Sequence, residues 1–256
     1  MSGGPEVLTE VSDRALIVTL NRPAAYNSFN RAQAEGLAAA LDRLEADEEL
    51  RAAVITGAGG RFCAGTDLRA AAAGESVEVA PRGYYGMLEA PPAKPLIAAV
   101  EGAAMGGGCE LLLACDLTVA AASARFGFPE VRRGLFASGG APARLPRLVP
   151  APVALDLLLT GREFGVEEAA RWGLVARVVA DGEALAEALA LAAEIAANGP
   201  VAVRATKEAV RRALAAGEPR AWEHSRELVA RIRGSRDMEE GIAAFLEKRE
   251  PRWSGR

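Results

Sequence analysis

The run PLIAAVEGAAMGGGCELLLACDLTVA at residues 95–120 decides the fold class. Pro95 to Val100 and Asp116 to Ala120 are short apolar runs with β-branched residues, bounded by proline, glycine and aspartate, and read as strands. Between them a glycine turn leads into Glu110-Leu111-Leu112-Leu113-Ala114. That segment has no polar residue after Glu110, so it reads as a helix buried on all sides. Strands alternating with helices indicate an α/β class with a largely buried sheet.

The same alternation extends outward. Ala15 to Leu20 reads as a strand stopped by Asn21-Arg22-Pro23. Asn30 is placed to cap a helix through Leu37, Leu41 and Leu44, apolar positions three and four apart. Ala52 to Thr56 reads as the next strand, closed by Gly57-Ala58-Gly59-Gly60. From about residue 140 the strand signal mostly stops. A helix over 181–198 sets Leu185, Leu189, Ala192 and Ile195 on one face and ends at Asn198-Gly199-Pro200. Pro219 opens a further helix through Leu228 and Ile232, and Asp237 begins a last one reaching Phe245. The expected organisation is an α/β core over 1–200 and a helical region over 201–256, with no low-complexity linker between them.

Composition narrows the chemistry. The chain has 256 residues, 30 Lys+Arg against 34 Asp+Glu, and a net charge of −4, which disfavours a nucleic-acid surface. No apolar run reaches the length of about 20 residues that a membrane span needs. No basic segment precedes an apolar core at the N-terminus, so no secretory signal is read. Three cysteines, Cys63, Cys109 and Cys115, form no CxxC pair, which suggests buried thiols in a reducing, cytoplasmic setting. The single histidine, His224, excludes multi-histidine metal sites. Acid–base work near neutral pH therefore falls to carboxylates tuned by burial. Residues 204–256 carry 13 Lys+Arg and 9 Asp+Glu, a basic tail suited to a solvated helical surface or to an anionic ligand.

Two glycine clusters follow strands: Gly57 to Leu68, and Gly102 to Glu110. Neither completes GxGxxG, because Phe62 and Leu111 stand where glycine is required, and no GK[ST] occurs. Ser138 is no nucleophile elbow, since Phe136 takes the first glycine position. What the clusters can offer is backbone N–H groups. If Gly107 and Gly108 begin the helix, their donors are free and sit at its positive end. Ala64-Gly65-Thr66-Asp67 likewise precedes a helix at Leu68–Ala71. Two such donors aimed at one carbonyl make an oxyanion hole. Tight turns alone would explain each loop taken singly. Glu110 weighs against that, because a carboxylate in an apolar helix is costly and has a raised pKa. Glu130 follows Phe126-Gly127-Phe128-Pro129, a rigid and partly dry setting.

FCAGTDL at 62–68, AVEGAAMGGGCELLLACDLTVAAASARFGFPEVRRGL at 99–135 and LNRPAAYNSF at 20–29 resemble the enoyl-CoA hydratase/isomerase (crotonase) superfamily. The resemblance runs from about residue 6 to FLEKREP at 245–251. It implies a crotonase-like spiral of ββα turns and a helical C-terminal trimerisation region that covers the coenzyme A site, giving a homotrimer or dimer of trimers. It implies an oxyanion hole at the N–H groups of Thr66 and Gly107, binding the thioester carbonyl of an acyl-CoA. It also implies two catalytic glutamates, Glu110 holding and activating water for C3 and Glu130 exchanging the proton at C2. Retaining both favours hydratase chemistry. The substrate-contacting positions that match are Arg22, Ala24, Ala25, Tyr26, Ala64, Gly65, Asp67, Leu68, Gly106, Ser138, Phe245 and Lys248. Neither a metal nor a separate cofactor is implied, coenzyme A being part of the substrate.

Departures bear on specificity. Ala24 stands where the family often has lysine, leaving Arg22 or the backbone of 24–26 to substitute. The usual proline and glycine after the second glutamate are replaced by Ala137 and Ser138. Phe136, Tyr84, Tyr85 and Met87 either line an acyl pocket or pack as ordinary core. A carnitinyl-CoA-type dehydratase, an enoyl-CoA isomerase and a non-catalytic acyl-CoA binder are the alternatives within the same fold.

Overall fold

The computed structural model describes residues 4–216 and 235–256, without the side chains of residues 215, 216, 245 and 246. The helix expected from Pro219 through Leu228 and Ile232, and His224 with it, lies outside the described residues.

The chain begins with an antiparallel hairpin of β1 (Val7–Ser12) and β2 (Ala15–Leu20). Helix α1 (Arg31–Ala46) follows, and the Asn30 side chain accepts from the Gln33 N–H, the N-cap expected of that asparagine. Strand β3 (Ala52–Gly57) pairs parallel to β2. Helix α2 (Leu68–Ala72) and a small hairpin of β4 (Glu78–Val79) and β5 (Gly83–Tyr84) lead to β6 (Leu96–Val100), parallel to β3. Strand β7 (Ala103–Met105) runs into helix α3 (Gly107–Ala114), and β8 (Leu117–Ala121) returns parallel to β6. Then come β9 (Arg125–Gly127), α4 (Ala141–Leu148), α5 (Ala151–Thr160), β10 (Glu163–Gly165), α6 (Val166–Arg171) and β11 (Arg177–Val179). Helices α7 (Ala184–Ala196) and α8 (Pro200–Ala216) and a final helix, Arg236–Glu247, complete the described chain.

The main sheet has six strands in the order β1-β2-β3-β6-β8-β11, and a second has three, β10-β9-β7. The inner strands of the main sheet are buried on both faces, their side chains alternating between the two. In β3, Ala53 and Ile55 enter one core while Ala52 and Val54 enter the other; in β6, Leu96, Ala98 and Val100 oppose Ile97 and Ala99. On the second face Ala15, Ala52 and Ala99 stand beside Val54, Ile97 and Val119, and α7 packs upon them through Ala184, Ala188, Leu191 and Ala192. The expected face of this helix is therefore rotated: Leu185, Leu189 and Ile195 are only partly buried at its margins. Alanines win the contact because they let helix and sheet backbones approach.

Two short strands, β10 and β11, form after residue 140, where the strand signal mostly stops but still within the expected 1–200 α/β core, and β11 extends the main sheet beside β8. Helix α8 is tied to the core by charge. Lys207 Nζ donates to Asp116 Oδ2 at 2.5 Å and to the Lys94 carbonyl, and Arg211 reaches Asp116 Oδ1 at 2.9 Å. Among the described residues no single helix is long and apolar enough to cross a membrane, and no cluster of metal-ligating side chains occurs.

Candidate active site

The site is assembled where the ends of β2 and β3 meet the start of α3. The loop after β2 is organised by Asn27, a buried residue with φ of +55°, a conformation asparagine tolerates better than most. Its Nδ2 donates to the carbonyls of Ala58 (2.9 Å) and Arg61 (2.7 Å), and its Oδ1 accepts from the Arg22 N–H. One side chain thus binds the 22–27 loop to the first glycine cluster. The Ala64 N–H then donates to the Tyr26 carbonyl, and the backbone at 65–67 pairs with Phe29, through Phe29 N–H to Gly65 and Asp67 N–H to Phe29. Sequence patterning passed over Asn27; its place between two turn loops was the available signal.

This pairing turns the Thr66 N–H away from Phe29. Among the described residues neither the Thr66 N–H nor the Gly107 N–H has a hydrogen-bond acceptor. Gly107 is the first residue of α3 and Gly106 its cap, so the second donor is one of the free N–H groups of a helix start. The two segments approach so closely that a Cβ on Gly65, whose φ is +87°, would lie 2.7 Å from the Gly107 nitrogen. Only glycine permits that approach. Cys63 and Cys109 are both buried and reinforce it, donating from Sγ to the Asn27 and Ala104 carbonyls.

Glu110 lies one turn into α3 and is only 3% exposed. Its Oε1 accepts from the Ala141 N–H at 3.1 Å, and a Cβ on Gly139 would stand 2.5 Å from its Oε2. Burial pushes its pKa up to about 7, the Ala141 N–H pulling against that and the nearby Glu130 adding to it. Glu130 sits in the 3-10 turn Pro129–Arg133. A Cβ on Gly106 would lie 3.0 Å from its Oε1, which places this carboxylate beside the residue preceding the Gly107 donor. Its Oε2 is buried without a hydrogen-bond partner among the described residues, and burial raises its pKa. The sequence expectation of two carboxylates in apolar settings near the glycine turns matches this geometry.

Arg144, which sequence reading did not single out, backs the loop that holds Glu110. Its guanidinium donates to the Gly139 carbonyl at 3.2 Å and to the Leu88 carbonyl. The other expected residues divide by what they touch. Arg22 is engaged rather than free: it bonds Asp67 Oδ2 at 3.0 Å, the Ser28 carbonyl, and Glu6 at 3.4 Å. Asp67 caps α2, its Oδ1 accepting from the Arg69 and Ala70 N–H groups. Ala24, Tyr26, Ala64 and Leu68 are exposed around the cradle and Ala25 is half-buried, with Arg61 stacked 4.3 Å over the Tyr26 ring. Ser138 is exposed, next to Gly139, and Phe136 on the same loop is 66% exposed. Tyr85 and Met87 are buried and Tyr84 half-buried. Lys248 is exposed beyond the last helix, and the Phe245 side chain lies outside the described residues.

Free backbone donors opposed by two buried carboxylates on an α/β spiral define a class of site, and comparison with known proteins agrees with it. The enoyl-CoA hydratase/isomerase family model matches residues 10–256. The chain belongs to this family. It is 41% identical to the enoyl-CoA hydratase EchA19 of Mycobacterium tuberculosis, over 100% of this chain and 99% of that one. It is 39% identical to the carnitinyl-CoA dehydratase of Escherichia coli strain K12, over 94% and 95% of the two chains. The crystal structure of an enoyl-CoA hydratase from M. tuberculosis H37Rv superposes with a TM-score of 0.96 at 49% identity, covering 99% of this chain and 100% of that one.

Proposed function

We propose that the protein is an enoyl-CoA hydratase, adding water reversibly across the 2,3 double bond of 2-enoyl-CoA thioesters. The observation that carries the reading is the pair of unpartnered N–H groups, Thr66 and Gly107, flanked by Glu110 and Glu130. The thioester oxygen accepts from the two N–H groups. Water held by ionised Glu110 attacks C3, its oxygen forming the new C–O bond while its proton passes to Glu110. The π electrons move through C2 toward the thioester oxygen, where the two donors stabilise the enolate, each worth about 2.7–4 kcal/mol. Glu130, whose protonated form burial favours, then gives its proton to C2 as the enolate collapses, and proton exchange with solvent resets the pair. The hydroxyl added at C3 comes from water and the proton added at C2 from Glu130, while Glu110 takes up the other water proton.

The roles assigned to substrate-contacting residues belong to the same reading. The exposed Tyr26, Ala24, Ala64 and Leu68 and the half-buried Ala25 receive the coenzyme A portion, with Gly65 and Gly106 shaping the carbonyl site. Arg22 and Asp67 act by fixing these loops. Lys248 and Phe245 join from the C-terminal region in the assembled protein. A homotrimer, alone or paired, is supported by the exposed Leu155, Leu159 and Ile242 and by a groove between α3 and α8 lined by Leu113, Leu148, Val210 and Leu214. The three free thiols, two of them buried, support a cytoplasmic setting.

Crotonyl-CoA and longer 2-enoyl-CoA esters are expected to lose their conjugated thioester absorbance in the presence of the protein, with oxygen from labelled water at C3. No absorbance loss with any chain length overturns the proposal. Double-bond migration without water uptake assigns the site to isomerisation instead. The carnitinyl-CoA dehydratase relative keeps the dehydrating direction as a second reading, tested with a trimethylammonium-bearing 3-hydroxyacyl-CoA.

A further inference from the structure

Tyr85 is buried deep in the core, yet it takes a φ of +56°, a backbone conformation that bulky residues rarely adopt. Its ring stacks on Phe29 with centroids 4.3 Å apart, which holds the phenol in one direction. The hydroxyl ends against both arms of the carbonyl cradle. It lies 2.6 Å from Thr66 Oγ1, and a methyl group added at Gly107 would overlap it. The same glycine that supplies one backbone donor therefore also makes room for this oxygen.

The proton count at this spot does not close. Thr66 and Tyr85 carry two hydroxyl protons, and the single hydrogen bond between them uses one. Among the described residues no other acceptor meets either hydroxyl. One hydroxyl proton is left without an acceptor where the phenol oxygen stands beside Gly107, and a buried donor without an acceptor is costly unless a ligand supplies one. Burial raises the pKa of the phenol, so it stays protonated at any working pH.

We infer that Tyr85 is a third hydrogen-bond donor to the thioester oxygen, its phenolic O–H joining the N–H groups of Thr66 and Gly107. The Thr66 hydroxyl donates to the Tyr85 oxygen, which orients the phenol and leaves its proton for the substrate. As negative charge grows on the thioester oxygen, the more acidic hydroxyl of the pair faces it, and the Thr66 bond strengthens its donation. No proton is transferred. The phenol remains neutral throughout, and its hydrogen bond is stronger in the enolate than in the bound substrate, which is the condition for raising kcat.

This inference rests on the acyl-thioester reading of the site, and the test separates the two. Wild type, Tyr85→Phe and Thr66→Val are compared with 2-enoyl-CoA substrates and with an aryl-conjugated enoyl-CoA whose absorbance moves to the red as its carbonyl is polarised. Tyr85→Phe keeps the ring on Phe29, and Thr66→Val keeps the backbone N–H. Tyr85→Phe is expected to lower kcat by about 10- to 100-fold with KM within about threefold. It is also expected to lose most of the red shift of the bound probe. Thr66→Val is expected to lose less of both. A shift present in wild type and lost in Tyr85→Phe, without hydration in either, upholds the donor and overturns the hydratase reading alone. An unchanged kcat and an unchanged shift in a folded Tyr85→Phe overturn the donor, and so does a wild type that shows no shift on binding the probe.

Discussion

The two glutamates of the site stand in unlike regions. Glu110 belongs to α3, where every residue from Gly107 to Ala114 is buried and the helix start is locked between the 62–67 loop and β7. Glu130 belongs to the segment 129–140, where residues 131 to 136 are all exposed and only Ala137 and Gly139 turn inward. The first region is fixed by close backbone contacts that no larger residue would allow, which suits the oxyanion hole proposed there. The second brings a carboxylate beside Gly106 but leaves Leu135, Phe136 and Ser138 facing out. On the proposed mechanism the carbonyl site and one acid belong to the tightly packed region, while the second acid shares its segment with the exposed surface that would meet the acyl chain. Arg144 joins them, since the loop it anchors at Gly139 is the one that sets the environment of Glu110.

The largest expected effect tests whether both regions take part in catalysis. Glu110→Gln and Glu130→Gln should each lower kcat by about 10²–10⁴-fold while acyl-CoA affinity changes little. The double variant should lose much less than the product of the two, because the carboxyls act as a unit. Unchanged turnover in either single variant breaks the two-carboxylate mechanism.

A smaller effect follows from the difference in burial. The Glu110 pKa rises from 4.5 to about 7 on folding, so its neutral form is favoured in the folded state. Stability on this account is fully present below about pH 4.5, and is lost as pH rises through about 7. Glu110→Gln, which stays neutral, should therefore be more stable than the parent at pH 8, by up to about 3 kcal/mol, with the gap closing near pH 4. Thermal unfolding at the two pH values measures it. Equal melting temperatures at both would show that the folded protein does not raise this pKa.

The smallest effect belongs to the exposed loop. Phe136→Ala should weaken long-chain or bulky enoyl-CoA by about 1 kcal/mol, roughly fivefold in KM, while leaving crotonyl-CoA unaffected. An equal effect on both substrates would place Phe136 away from the acyl path and remove the loop's role in specificity.

Much of the site was legible in the chain because its devices are local. A glycine run followed by an apolar segment announces a helix with free donors at its start, and a lone glutamate inside that segment announces a buried acid. The Asn30 cap and the strands read at 15–20, 52–56 and 95–100 were legible for the same reason, since each is read from neighbouring residues. The strands β4, β5, β7, β9, β10 and β11 were not, because two or three residues carry no periodicity, and all but the β4–β5 hairpin exist only through a partner far along the chain. β1 escaped because it is an edge strand with mostly exposed residues and hence no apolar alternation.

The amino-acid sequence by itself determined the class of fold, the two donor-bearing loops and the two acids, since those depend on spacing within about ten residues. Only the tertiary structure decided which groups meet. It spent Arg22 on Asp67, gave Asn27 the task of binding two loops, rotated α7 so that its alanines rather than Leu185 and Leu189 face the sheet, and brought Tyr85 to Gly107. The physical reason is that hydrogen bonds and close packing are settled by distances across the folded chain, between residues that sequence order keeps apart.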